Sequence, residues 1–266
     1  MPRRVLAMAH RGGEGLWPSN TLYAFRQAAA LGVNALELDI HLSADGALIV
    51  RHDPVVETTC NGQGAIRDLR LAQIQALDAG WAWPYDAPPQ ADTPRPFRGL
   101  GIRVPTLDEV FAEFPLAIAV NIDIKSQEPQ AVDALAACIR RFGRQAAVRV
   151  GSFHNLQLQR FRSLLPEAPT AAGVSETRLF YLLSRLGLGG LYRPKFQAFQ
   201  VPEWSGRLHL VTPGFIRQAH RCGVEVHIWT VNETADMRRL LGWGVDGLIS
   251  DYPDRLMAVL KETDGA

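Results

Sequence analysis

Along the chain, short apolar runs of strand length alternate with stretches whose apolar residues recur at helical spacing. "RVLAMAH", "ALELDI", "LAIAVNIDI", "AAVRVGS", "APTAAGV", "AFQVP", "VEVHIWTV" and "DGLISD" predict eight strands. Between many of them, "NTLYAFRQAAALG", "TLDEVFAEF", "TPGFIRQAHRCG" and "ETADMRRLLGWG" predict helices. Three junctions, "LGVNALELD", "CGVEVHIWT" and "WGVDGLISD", share one wording: a glycine suited to ending a helix, a valine, then a strand. Thr106 and Glu109 have capping-box spacing, and Thr212 before Pro213 marks another helix start. Eight such βα units in about 250 residues fit a (β/α)8 TIM barrel, whose functional side chains gather where strands end and loops begin. The rival, an open doubly wound sheet, lacks a GxGxxG after the first strand.

Two segments break the alternation. "SADGALIV" sets Asp45-Gly46 between apolar runs, predicting a hairpin that extends the second strand and returns to His52. Residues 57–105, rich in proline and glycine, are too long for an ordinary βα loop and predict a small insertion over the active face. The expectation is one domain over residues 1–266 carrying that insertion.

Composition narrows the partners. The chain has 47% hydrophobic residues, and its 28 Lys+Arg nearly balance 27 Asp+Glu, which removes the broad positive field that nucleic acid would require. Cys60, Cys138 and Cys222 are too far apart in sequence for a CxxC pair, which argues against a disulfide framework and a zinc site. The apolar run after the basic N-terminus is too short for a signal or a span, so a cytoplasmic protein is expected.

The chemistry collects at predicted strand ends. Glu37 and Asp39 alternate with Leu36, Leu38 and Ile40 and so project from one face of the second strand. In "NIDIK", Asn121, Asp123 and Lys125 share a face in the same way. Three carboxylates converging on one barrel mouth repel unless a cation lies between them, and hard oxygen ligands suit Mg²⁺ or Ca²⁺. Glu37, Asp39 and Asp123 are therefore the expected metal ligands. His10, ending the first strand, and His52, ending the hairpin, titrate near neutral pH and suit acid and base roles on opposite sides of a reacting group. Arg11 and Lys125 would hold anionic oxygens, and Lys125 is one of only three lysines in the chain. This set suits phosphoryl transfer.

"AHRGG", "PSNTLYAF", "LELDIHLSADGALIVRHDP", "NIDIK", "VHIWTVNE" and "GVDGLISDYP", in this order over residues 9–254, resemble the motifs of the glycerophosphodiester phosphodiesterases. The resemblance implies a TIM barrel with a small insertion, one bound divalent cation, and hydrolysis of glycerophosphodiesters to glycerol 3-phosphate and an alcohol. It implies acid/base work for His10 and His52, metal binding by Glu37 and Asp39, phosphate contacts from Arg11 and Lys125, and a pocket lined by Trp229. The mechanism it implies has the glycerol 2-hydroxyl attack phosphorus while one histidine accepts its proton. The other histidine protonates the leaving oxygen, and water then opens the cyclic phosphate.

Two positions depart from the family pattern: Ser19 stands where glutamate is common before the Asn-Thr of the first helix, and Asp123 where the third ligand is commonly glutamate. Aspartate there resembles the related sphingomyelin- and lysophospholipid-cleaving phospholipases D, which makes a lysophospholipid the second substrate reading. The leucine-rich stretch 178–194 reads as a helix packed on the barrel, with an apolar lip in peripheral contact with a membrane as its alternative. Plainer roles compete elsewhere: barrel packing for Trp229, a turn cap for Asp251, and structure for His41, His154, His209, His220 and His227, with a reach into the site as the alternative for His154, which follows "GSF" at a strand end. A phosphate-binding barrel without chemistry is the non-enzymatic reading, disfavoured by the full set of histidines and carboxylates.

Overall fold

A computed structural model describes residues 5–85 and 93–264. Arg4 of the predicted first strand and residues 86–92 of the predicted insertion lie outside the described residues. The elements follow one another as β1 (Leu6–Ala9), α1 (Leu22–Leu31), β2 (Ala35–Leu42), β3 (Leu48–Val50), α2 (Leu71–Gln75), α3 (Leu107–Glu113), β4 (Ala119–Ile124), α4 (Pro129–Arg141), β5 (Val148–Gly151), α5 (Asn155–Leu164) and α6 (Val174–Arg185). Then come β6 (Ala198–Val201), the short β7 (Trp204–Ser205) and β8 (Leu208–His209), α7 (Pro213–Arg221), β9 (Glu225–Ile228), α8 (Thr234–Gly242), β10 (Gly247–Ser250) and α9 (Pro253–Asp264).

Seven strands pair in parallel in the order β5-β4-β2-β1-β10-β9-β6. The fifth predicted strand, "APTAAGV", contributes only bridges from Thr170 to Val150 and from Ala171 to Ala198, which join β5 to β6 and bring the sheet round into a barrel. Its shortness has a local cause on each side: Pro169 has no N–H to donate before the bridges, and Gly173 is already the N-cap of α6 after them. The TIM barrel is as expected. The hairpin is present too, with β3 antiparallel to β2 (Ile40 opposite Val50) and Gly46 in the left-handed turn at φ 83°.

Helix starts obey local chemistry. The Thr106 hydroxyl accepts from the Glu109 N–H while Glu109 accepts from the Thr106 N–H, and Thr212 caps α7 at Phe215. Two apolar cores lie between the barrel strands and the helices outside them. One gathers Leu36, Leu38, Ile122 and Phe161, the other Phe180, Phe199, Val226 and Leu248. A third small core, with Ile49, Val56, Ile66, Ile74 and Val104, belongs to the hairpin and the residues after it. That segment reaches the first βα loop: Trp83 Nε1 donates to the Glu14 carbonyl at 3.0 Å, and the Ser19 N–H donates to the Tyr85 hydroxyl at 2.9 Å.

The stretch 178–194 falls in α6 and the turn after it, with Phe180 buried against Phe199 and Phe215. Since α6 runs back from the strand-end side, residues 186–191 lie at the opposite end of the barrel from the strand C-termini.

Candidate active site

Strand register brings the predicted residues together. β1 pairs with β2 on one side and β10 on the other, so the loop after Ala9 stands beside both Glu37 and Asp251. Pairing of β2 with β4 sets Glu37 opposite Asn121 and Asp39 opposite Asp123. Glu37 and Asp39 are buried, 6% and 1% exposed, so the cost of their charge is set by their partners rather than by water.

The first loop is built for this contact. After β1, His10-Arg11-Gly12 makes a single 3₁₀ turn in which Arg11 adopts φ 51° and Gly12 φ 85°. This turn aims the Arg11 N–H at Glu37 Oε2, 2.9 Å away. A Cβ on Gly12 would meet Ala24 Cβ at 2.8 Å, so only glycine lets the turn lie on α1. Asn20, at φ 56°, donates from Nδ2 to Asp39 Oδ2 at 3.0 Å, and its Oδ1 accepts the Asp39 N–H at 3.3 Å. The left-handed conformation is one that asparagine tolerates better than most residues, which accounts for its place in "PSNT".

Cations thread between the carboxylates. Lys125 Nζ lies 2.7 Å from Asp123 Oδ2 and 3.2 Å from Asp39 Oδ1, and Arg11 Nε lies 3.4 Å from Asp39 Oδ2. Burial pushes Asp39 up, but Lys125 and Arg11 outweigh it and hold its carboxyl below the ordinary value. Asp123 is raised, chiefly by burial, against the pull of Lys125. Glu37 is pushed up to about 7 by burial and by the Asp39 charge beside it. The positive charge present therefore satisfies Asp39 but leaves Glu37 short.

Both predicted histidines are held through Nδ1. His10 Nδ1 lies 2.5 Å from Asp251 Oδ1, while its Nε2 is 3.9 Å from Glu37 Oε2. Asn232 Nδ2 fixes the other Asp251 oxygen at 2.7 Å. Burial acts to lower the His10 pKa, but the hydrogen bond to Asp251 and the charge of Glu37 raise it overall. His52 Nδ1 lies 2.9 Å from Asp53 Oδ1, and its carbonyl accepts from His41 Nε2 at 2.9 Å. A carboxylate at Nδ1 requires the proton there, which leaves Nε2 of each neutral imidazole as the basic atom. Beside His52 a pocket opens, walled by Arg11, Asn20, Arg51, Thr59 and Tyr85.

Trp229, just after β9, packs partly on the barrel-interior group Met8, Ala35 and Ile249, and edge-on to Phe153 at 6.0 Å between centroids. Lys125 Nζ lies 5.5 Å from the same Phe153 ring. The tryptophan thus combines the packing role with an edge contact to the ring beside which Lys125 lies.

Three residues do more than their sequence contexts suggested. Asp251 holds His10 rather than merely capping a turn, Asp53 holds His52, and Glu14 joins the mouth through Arg11 Nη1 at 2.9 Å. Asp53 was findable as the acid next to His52. Asp251 was not, because it is 241 residues from His10 and meets it only through the β1–β10 pairing. Among the described residues, the ligand atoms that all lie within 4.8 Å of one another belong to His10, Glu14 and Asp251, not to Glu37, Asp39 and Asp123.

The likeness to known proteins extends over this whole arrangement. A profile of the Glycerophosphoryl diester phosphodiesterase family matches residues 10–255. The chain is 31% identical to a glycerophosphodiester phosphodiesterase of Bacillus subtilis, covering 98% of this chain and 88% of that one. It is also 31% identical to one from Caldanaerobacter subterraneus, over 97% of this chain and 99% of that protein. The crystal structure of a glycerophosphodiester phosphodiesterase from Agrobacterium tumefaciens superposes with a TM-score of 0.75 at 26% identity, covering 94% of this chain and 98% of that one. On the family match and these relatives together, the chain belongs to the glycerophosphoryl diester phosphodiesterase family.

Proposed function

We propose that this protein hydrolyses glycerophosphodiesters to glycerol 3-phosphate and an alcohol, with His10 and His52 as the acid/base pair. The observation that carries the reading is that each imidazole is anchored at Nδ1 by its own carboxylate, with Arg11 and Lys125 at the same mouth. Arg11 and Lys125 bind the non-bridging phosphate oxygens, and Trp229 closes one side of the pocket. One Nε2 takes the proton of the glycerol 2-hydroxyl as its oxygen attacks phosphorus. The other imidazole, protonated, gives its proton to the departing alkoxide. In the second half the roles reverse: water loses a proton to the histidine that acted as acid, its oxygen adds to phosphorus, and the ring oxygen leaves with the proton from the first.

A divalent cation, Mg²⁺ or Ca²⁺, suits the chemistry of Glu37, Asp39 and Asp123, whose carboxylates are hard oxygen ligands that would have to draw closer to share it. The Glu37 carboxyl, raised to about 7, is that of a site short of positive charge. Bound there, the cation would neutralise charge on the phosphate. Lys125, which lies between Asp39 and Asp123, would share those carboxylates with the cation.

A lysophospholipid is the second reading, and one feature favours it: Phe153 and Leu156, following β5 at the mouth, are exposed apolar side chains. The test is turnover of glycerophosphocholine, glycerophosphoethanolamine and a lysophospholipid, each after chelation and after return of Mg²⁺ or Ca²⁺. The proposal expects glycerol 3-phosphate from the first two, only with metal returned. No product from either with both cations would overturn it, and a strong preference for the acylated substrate would select the second reading. A substrate lacking the 2-hydroxyl should be inert; rapid hydrolysis of it would replace the cyclic route with direct attack by water.

A further inference from the structure

Helix α6 carries more apolar surface outward than its packing needs. Leu179, Leu182 and Leu186 are 50%, 61% and 72% exposed. At about 100° per residue these leucines, with Arg178 and Arg185, fall on one stripe of the helix and its end. The orientation is fixed, because Phe180 on the opposite side is buried with its ring 4.5 Å from Phe199 and 5.0 Å from Phe215. The turn after the helix continues the patch with Leu188 and Leu191, 44% and 69% exposed.

The charge along this segment is of one sign. Between Glu176 and Glu203 the chain has four Arg or Lys and no acid. Glu176 is itself taken by Arg162 at 2.8 Å. Arg221 of α7 adds to the same side, its Cδ 3.7 Å from where a Cβ on Gly190 would lie. Among the described residues no helix is long and apolar enough to cross a membrane.

We infer that the exposed α6 face docks on an anionic phospholipid surface, leucines entering the acyl boundary and arginines meeting lipid phosphates. A second copy of this chain is the poorer occupant, since a two-fold contact would press Arg178 and Arg185 against their own counterparts. The turn at residues 186–191 is at the barrel end away from the strand C-termini, where Cys222 Sγ donates to the Gly189 carbonyl at 3.1 Å. Docking thus leaves the catalytic mouth open to water and does not depend on what the mouth hydrolyses.

The experiment is co-sedimentation of the full chain with phosphatidylcholine vesicles, with and without phosphatidylglycerol, at low and high salt. Binding is expected to the anionic vesicles alone and to be released by salt. Arg178→Gln with Arg185→Gln should weaken it about thirty-fold, two charges at the usual strength of such contacts. Leu182→Gln with Leu186→Gln should weaken it at least about ten-fold. Thermal melts and glycerophosphocholine turnover of both double variants should match the parent, since the four side chains are exposed. Failure of the parent to bind anionic vesicles, equal binding to neutral ones, or undiminished binding by both double variants would overturn the inference. So would a parent dimer in light scattering that the leucine variant dissolves, which would assign the face to a second copy.

Discussion

Asp251→Asn isolates the anchoring of His10. The substitution keeps the shape of the side chain and leaves Asn232 next to it, but removes the charge that sits 2.5 Å from His10 Nδ1. A hydrogen bond to a charged group contributes roughly 1.5–3 kcal/mol. At about 1.4 kcal/mol per factor of ten, that amounts to about a ten- to hundred-and-fifty-fold loss in kcat if the bond supports the transition state throughout. The loss rises toward about 10⁴ if the amide turns the imidazole into the wrong tautomer, as removal of the orienting carboxylate does in serine protease triads. Asp53→Asn should cost less. The His52–Asp53 pair is 36% exposed on both sides, so water screens the charge and replaces the bond in part. The assay is steady-state release of glycerol 3-phosphate at saturating substrate and cation, with a thermal melt to verify folding. KM should move little, because Asp251 touches the histidine and not the phosphate-binding cations. A folded Asp251→Asn enzyme within two-fold of the parent in kcat, or less affected than Asp53→Asn, would refute the reasoning.

Other consequences are as direct. His52→Ala should abolish turnover while calorimetric metal binding persists, whereas Asp39→Ala should lose both; full activity in either would reject its role. His227 is fully buried beside Arg149 and Glu225, and burial first, then Arg149, lowers its pKa against the bond to Glu225. Its neutral form is thus the folded form: stability is present above about pH 6.5 and is lost as pH falls and the unfolded chain takes the proton. His227→Gln should flatten the drop in Tm between neutral and mildly acidic buffer, and an unchanged drop would exclude the residue as a source. Gly12→Ala meets both the φ of 85° and the 2.8 Å approach to Ala24, so it should destabilise by more than about 1 kcal/mol in urea melts and lower activity through His10. A neutral substitution there would show that the turn adapts.

What could be read in advance follows the range of the interaction. Period-two alternation placed Glu37 with Asp39 and Asp123 with Lys125, because side-chain direction in a strand is a local property. Caps at Thr106 and Thr212, and the Asp45-Gly46 hairpin, are local for the same reason. The fifth predicted strand shrank to Thr170 and Ala171 since its apolar pattern says nothing of the ladder that Pro169 interrupts. Lys125 lies between two carboxylates expected around a metal, a matter of side-chain reach across β2 and β4 that no spacing encodes. Asp251 looked like a turn residue because its partner is brought to it only by the meeting of first and last strands.

That meeting imposes an order on biosynthesis. His10 is translated 241 residues before Asp251, the acid that holds it. A chain cut between Trp229 and Asp251 would therefore keep every other residue proposed for the reaction and still lack the carboxylate that anchors His10. On this reading, hydrolysis by a nascent or clipped polypeptide is withheld until β10 has closed on β1.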